Sequence, residues 1–273
     1  MQTKTINWQG SIIQYKIVGD GKPVILLHGF GEDSTVWEPQ ISFLQNNFRL
    51  IIPDLPGTGN SQFVPDADIE IYAAIVKAML DIELQKDAST GEIFETVCFL
   101  GHSMGGYICL AFAEKHPQYL NSFGLLHSSA FADSEEKKQV RKKAIEFINS
   151  KGANSFIKTS LPGLFSSDFA DKRPEIIESF IQKGLSFSNA ALVQYYEAMI
   201  ARPDRISVLK NFPHPILFII GEHDPAVPLE SSLKQCYLPQ QSHVTILSNS
   251  AHMGMWEETE KLNQQLSTFL LQL

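Results

Sequence analysis

Short, unbroken apolar runs recur along this chain, separated by polar, glycine- and proline-bearing stretches. Val24 to Leu27 and Leu50 to Ile52 are two such runs, and a third lies in IFETVCFLGHS and ends at Leu100. NSFGLLHSSA, HPILFIIGEHD and HVTILSNSAH carry the others. Runs that are continuous rather than alternating suit strands buried on both faces, as in a parallel sheet. Upstream, SIIQYKIV reads as a further strand that turns through Gly19-Asp20-Gly21-Lys22-Pro23 into the first run. Helix-period segments alternate with the strands. DADIEIYAAIVKAMLDIEL repeats apolar residues at Ile71, Ala74, Ile75, Ala78 and Met79, GGYICLAFAEKHP follows the third run, and WEETEKLNQQLSTFLLQL closes the sequence. Strand and helix in alternation predict an α/β fold, a mostly parallel central sheet flanked by helices, in one domain over residues 1–273.

Residues 131–207 break the alternation. No strand-like run occurs there, and three segments have helical period: DSEEKKQVRKKAIEFINS, RPEIIESFIQKG and SNAALVQYYEAMIAR. The first opens with a capping-box pattern, Asp133 with Glu136, and places Val140, Ala144, Ile145 and Ile148 on one stripe. A helical insertion between two strands of one sheet predicts a cap. The basic cluster Lys137, Lys138, Arg141, Lys142 and Lys143 reads as a solvated helix face, because Glu135, Glu136 and Glu146 dilute its charge.

Composition narrows the function. The 273 residues carry a formal charge of -8, which gives no electrostatic reason to bind nucleic acid or an anionic membrane. The three cysteines, Cys98, Cys109 and Cys236, lack metal-type spacing, which argues against a disulfide framework or a structural zinc, and Cys98 and Cys109, inside apolar runs, read as packed thiols. The N-terminal stretch has no apolar signal core, and no run is long enough to span a bilayer, so the expected location is the cytoplasm. The expected partner is a small-molecule substrate, with no metal or cofactor; the sequence leaves the oligomeric state open.

The candidate chemistry sits where the runs end. Gly101-His102-Ser103-Met104-Gly105 follows the third strand and precedes a helix, which fits the strained G-x-S-x-G turn that lifts a serine hydroxyl clear of a sheet. A serine nucleophile needs a histidine base and a carboxylate to orient it. In chain order the candidates are Asp224, after the strand in ILFIIGEHD, and His252, after the last strand. Asp133 is the runner-up acid, and His102, His127 and His223 are competing histidines. The oxyanion donors are expected to be the backbone N–H groups of Met104 and of Phe30 in HGFGED. Residues beside the site, Phe30, Met104, Val227 and Met253, are expected to line the pocket, with Leu161, Leu164 and Phe165 of the cap, and such an apolar lining favours esters of small, largely apolar substrates with an uncharged acyl group.

Taken together, His28-Gly29-Phe30-Gly31, Asp54-Leu55-Pro56-Gly57-Thr58-Gly59-Asn60-Ser61, Gly101 to Gly106, Gly221 to Asp224 and His252 make the chain resemble an α/β-hydrolase of the compact helical-cap, serine-esterase type. The resemblance implies acyl transfer to water, with Ser103, His252 and Asp224 as a triad and DLPGTGNS as a structural turn near the site. It also leaves open C–C bond hydrolysis, thioester hydrolysis and a sensor with little turnover. Relatives in menaquinone synthesis carry an arginine shortly after the elbow, whereas this chain reads Met104-Gly105-Gly106-Tyr107-Ile108.

Overall fold

The apolar runs form the interior of a single sheet. The computed structural model describes residues 1–84 and 96–273, so residues 93–95 of the third run lie outside it. The strands are β1 (Gln2–Trp8), β2 (Ser11–Val18), β3 (Lys22–Leu27), β4 (Phe48–Pro53), β5 (Val97–His102), β6 (Leu120–Leu126), β7 (Ile216–Gly221) and β8 (Ser242–Leu247). Their spatial order is β1-β2-β4-β3-β5-β6-β7-β8. β1, β2 and β4 pair antiparallel and the remaining neighbours pair parallel. Helices α1 (Glu38–Leu44), α2 (Ile69–Glu83) and α3 (Met104–Lys115) connect the first half. Between β6 and β7 come α4 (Glu135–Lys151), α5 (Ala153–Ser160), α6 (Ser167–Lys172), α7 (Pro174–Gly184), α8 (Asn189–Ala201) and α9 (Ile206–Asn211). The last are α10 (Leu229–Cys236), α11 (Gly254–Glu257) and α12 (Thr259–Leu271).

Side chains alternate across a strand, so each central strand feeds two cores. Ile25, Leu27, Ile51 and Phe99 face the side covered by α2 and α3, where Phe99 meets Phe112 with ring centroids 4.5 Å apart. Val24, Leu26, Leu50, Cys98 and Leu100 face the other side, packed with Trp37, Leu262 and Leu266. Burial on both faces is why these runs are uniformly apolar.

Two edges depart from that pattern. β1 was not anticipated, because QTKTINW is mostly polar and only Ile6 is buried; it pairs in register with β2 as an edge strand. β8 is not buried on both faces as its sequence suggested: Val244 and Ile246 are exposed, while His243 contacts Phe269 of α12. An edge strand with one covered face keeps alternating burial.

The helical stretch between β6 and β7 also corrects two expectations. The N-cap of α4 is Ser134, whose side chain accepts from the Lys137 N–H, not Asp133. Asp133 is buried and paired instead with Arg202 (2.9 Å) and Arg141 (2.6 Å). On α4 only Ile148 of the apolar stripe is fully buried, because the N-terminal part of the stripe borders a cavity rather than a core. Helices α4, α5 and α8 pack on one another, and α9 returns to the sheet through Val208 and Leu209.

Candidate active site

β5 delivers Ser103 onto a sharp turn. Its φ of 50° and ψ of -114° are strained for a non-glycine residue, at a typical cost of about 1–3 kcal/mol. The turn is held by the Ser103 N–H donating to the Leu126 carbonyl (2.9 Å) and by Ser128 Oγ donating to the Ser103 carbonyl (2.7 Å). Only glycine fits at position 105, where a methyl group would collide with the Leu27 carbonyl. Helix α3 begins directly at Met104, so its N-terminal N–H groups point toward the serine. The loop after β3 lies against the same turn: a methyl group on Gly29 would sit 3.0 Å from Ser103 Cβ. Neither the Phe30 nor the Met104 N–H donates to an acceptor among the described residues. DLPGTGNS is a structural turn, in which Asp54 accepts from the N–H groups of Ser34 (2.9 Å) and Asn60 (3.0 Å).

The ends of β7 and β8 bring Asp224 and His252 together. His252 Nδ1 donates to Asp224 at 2.8 Å (Oδ2) and 3.0 Å (Oδ1), with both residues buried. Asp224 Oδ1 also accepts from the N–H groups of Ala226 and Val227, each at 2.8 Å. A second histidine, His127 at the end of β6, donates from Nδ1 to Oδ2 at 3.1 Å. Burial pushes the Asp224 carboxyl up, but His252 and then His127 more than reverse this, so it stays ionised far below the usual carboxylate range. His127 is held below its ordinary value mainly by burial, so it is neutral and donates through Nδ1. Its Nε2 is buried without a partner among the described residues. These three residues each bring one ligand atom within 4.8 Å of the others, a set that would suit a divalent cation. In the hydrogen-bonded arrangement both Nδ1 atoms are already committed to Asp224. Ser103 and His252 border the same cavity, and no hydrogen bond yet joins Oγ to the ring.

Two further carboxylates, which carry no motif in the sequence, hold this constellation. Glu32 accepts from the Gly29 N–H (2.6 Å) and from His102 Nδ1 (3.0 Å), while His102 Nε2 donates to the His252 carbonyl (2.9 Å). The buried pair therefore clamps the loop after β3 to the His252 loop. Glu257 accepts from the N–H groups of Ala251 (3.0 Å), Met253 (2.9 Å) and Ser166 (2.7 Å), tying the His252 loop to the helical stretch above it. The His252 N–H also donates to the Leu164 carbonyl (2.9 Å).

The Glu32–His102 pair gives stability a pH window. Burial pushes Glu32 up, but His102 holds it net below its ordinary value; burial pulls His102 down, but Glu32 holds it net above. A depressed carboxyl stabilises fully above its unfolded value of about 4.3, and the contribution is lost as pH falls through the folded value. A raised histidine stabilises fully below about 6.5, and that contribution is lost as pH rises through the folded value. The Tm difference between wild type and Glu32→Gln is therefore expected to be largest near pH 5–6 and to shrink on both sides. A difference that stays constant with pH contradicts an ionised pair.

The cavity beside Ser103 has a volume of about 420 Å³. Of the residues proposed from sequence, Phe30, Val227, Leu161 and Leu164 border it, with Ile157, Met199 and Tyr196. Three expected residues do not. Met253 and Met104 are fully buried in the cores, because a neighbour in sequence projects its side chain away from the site. Phe165 stacks on Phe169 (5.4 Å) and borders a separate surface depression. Lys137 and Arg141, read from sequence as solvated, turn into the cavity, whereas Lys142 and Lys143 are exposed. His223 is exposed and Asp133 pairs with arginines, so neither joins the site. Burial pushes the thiols of Cys98 and Cys236 up to about 12 and about 11, which removes them as nucleophiles at neutral pH. Among the described residues no helix is long and apolar enough to cross a membrane.

Comparison with known proteins decides the family: residues 22–259 match the α/β hydrolase fold family. The chain belongs to that family. Among solved structures, this α/β hydrolase is similar to a thermophilic esterase from Thermogutta terrifontis, determined with malate bound. The TM-score is 0.88 at 28% identity, covering 100% of this chain and 99% of that one. It is 27% identical over 261 residues to a protein from Agrobacterium fabrum named as the carbamate hydrolase RutD, covering 91% of this chain and 93% of that protein. It is 28% identical over 255 residues to the dihydrolipoyllysine-residue acetyltransferase component of the acetoin cleaving system of Pseudomonas putida. That match covers 92% of this chain but 64% of the longer relative, so the chain spans less than two thirds of that protein's length. The α/β hydrolase relatives thus include esterases and hydrolases.

Proposed function

We propose that this α/β hydrolase is a serine hydrolase that cleaves carboxylic esters through an acyl-enzyme on Ser103. The observation that carries the reading is the Asp224–His252 hydrogen bond at the wall of the cavity into which the strained Ser103 turn opens. Asp224 fixes the His252 tautomer, so that Nδ1–H is a donor and Nε2 is left as the base. His252 takes the Ser103 proton as Oγ attacks the ester carbonyl. The tetrahedral oxyanion is held by the N–H groups of Met104 and Phe30, both without another acceptor among the described residues. His252 then protonates the leaving alcohol, and water, deprotonated by the same ring, releases the acid. The absence of an Oγ–ring hydrogen bond is compatible with this, since such contacts commonly tighten only with substrate in place.

The similarity to an esterase favours the ester, and the similarity to a protein named as a carbamate hydrolase makes the carbamate the competing substrate. The test compares turnover of matched 4-nitrophenyl acyl esters, acyl thioesters, N-alkyl carbamates and a vinylogous diketone. The expected result is the highest kcat/KM on the ester. A higher value on the carbamate, the thioester or the C–C substrate reassigns the reaction. Stoichiometric binding without turnover of any of them would mark a sensor.

A further inference from the structure

We propose that the cavity selects esters that carry a free carboxylate, with Arg141 as its anchor and Lys137 beside it. The proposal rests on the serine-hydrolase reading and names the substrate class of that site. Of the basic cluster on α4, Lys137 and Arg141 lie one turn apart and share a face, and that face borders the cavity that also holds Ser103 and His252. Arg141 is largely buried, with its side chain 12% exposed. It spends only Nε, on Asp133; the other N–H groups of its fork donate to nothing among the described residues. Its guanidinium lies over the Tyr196 ring, 5.7 Å from the centroid, which holds the fork in place. A planar fork with a free edge is the group that matches a carboxylate in bidentate fashion.

Charge around the fork favours an anion. Among the described residues Asp133 is the only carboxylate paired with Arg141, and it already neutralises Arg202 (2.9 Å). Lys137 Nζ stands 4.0 Å from Asp133 and donates to the Ala226 carbonyl at 2.8 Å. The two other acidic groups near the cavity are spoken for, Glu32 by His102 and Asp224 by two histidines. Three cations therefore face one carboxylate. Tyr107, which lines the cavity, registers the imbalance: burial pushes its phenol up, yet Arg202, Lys137 and Arg141 bring it net below its ordinary value. Ile157, Leu161 and Val227 add an apolar stretch of wall. The preferred substrate is thus not the uncharged acyl group that the apolar lining alone suggests but an ester whose acyl half has a short apolar body and ends in a carboxylate, because Lys137 and Arg141 also line the cavity. Water cleaves its acyl C–O bond, giving a dicarboxylic acid and an alcohol.

The experiment compares 4-nitrophenyl hydrogen glutarate with neutral 4-nitrophenyl butyrate in wild type, Arg141→Gln, Arg141→Lys and Lys137→Met. Wild type is expected to favour the glutarate ester. Arg141→Gln is expected to lower kcat/KM on that ester about tenfold to a hundredfold, mostly through KM, and to leave the butyrate within about threefold. Arg141→Lys should recover part of the loss, and Lys137→Met should show a smaller loss confined to the anionic ester. Equal losses on both esters, or a wild-type preference for butyrate, overturn the proposal. A binding measurement separates this from the parent reading: glutarate should raise the Tm of wild type and not of Arg141→Gln. If neither ester turns over in folded wild type, the serine-hydrolase reading fails, and the Tm response alone decides the anion site. A Tm rise with inorganic phosphate but not with glutarate overturns the carboxylate assignment. If Arg141→Gln does not fold, competitive inhibition of butyrate hydrolysis by glutarate, weakened in Lys137→Met, replaces it; no inhibition overturns the proposal.

Discussion

Ser103→Ala is expected to reduce kcat on a 4-nitrophenyl ester by about 10⁶, leaving only the slow background that an oxyanion site and binding can sustain. The fold should survive the change. Ser103 keeps its hydrogen bonds through the backbone N–H and carbonyl, and its hydroxyl bonds to no other side chain among the described residues. Alanine still pays the strain of φ 50°, so Tm is expected to change little. The measurement is single-turnover kinetics on the purified variant, with circular dichroism to establish folding. A folded Ser103→Ala that retains a tenth of wild-type turnover removes the serine from the chemistry.

Asp224→Asn is expected to cost about 10⁴ in kcat and, unlike the serine change, to lower Tm as well. Both carboxylate oxygens face only N–H donors: Ala226, Val227 and His252 on Oδ1, and His252 and His127 on Oδ2. An asparagine must turn its NH₂ toward one of these sets, so donors oppose donors whichever way the amide lies. If the NH₂ faces His252, the ring takes the wrong tautomer and Nε2 carries a proton instead of accepting one. If it faces the loop, Ala226 and Val227 lose their acceptor. A buried, unsatisfied donor typically costs about 1–3 kcal/mol. His127 makes this acid different from a simple pairing, since it competes for the same oxygen. Parallel measurement of kcat and Tm checks the prediction. A loss of rate with unchanged Tm would mean that the loop does not depend on the carboxylate.

The sheet and the candidate residues Ser103, Asp224 and His252 are legible in the sequence because each leaves a local mark. Val24–Leu27 and the run ending at Leu100 are apolar on both sides, and Ser103 stands among glycines that its turn requires. Asp224 and His252 follow strands at the edge where such sheets build sites. What was not legible depends on orientation. Met253 is next to His252 in sequence and projects into the core, and Phe165 lies just beyond Leu164 and packs away from the cavity. Lys137 and Arg141 share a segment with solvated lysines, and only the packing of α4 on α5 and α8 decides which face meets the cavity. Glu32 and Glu257 have no sequence signal at all, because their donors, backbone N–H groups together with the His102 ring on Glu32 and the Ser250 hydroxyl on Glu257, are brought together only by the fold. β1 leaves no such mark, because an edge strand with one buried residue looks like a polar segment.

The central claim, that Ser103 is an activated nucleophile, is tested most directly by covalent capture. The intact protein is treated with a fluorophosphonate, weighed, digested and sequenced by mass spectrometry. One label per chain is expected, on the peptide containing Ser103, with labelling strongly slowed in His252→Gln. A folded protein that takes no label, or takes it on any other residue, would contradict the account.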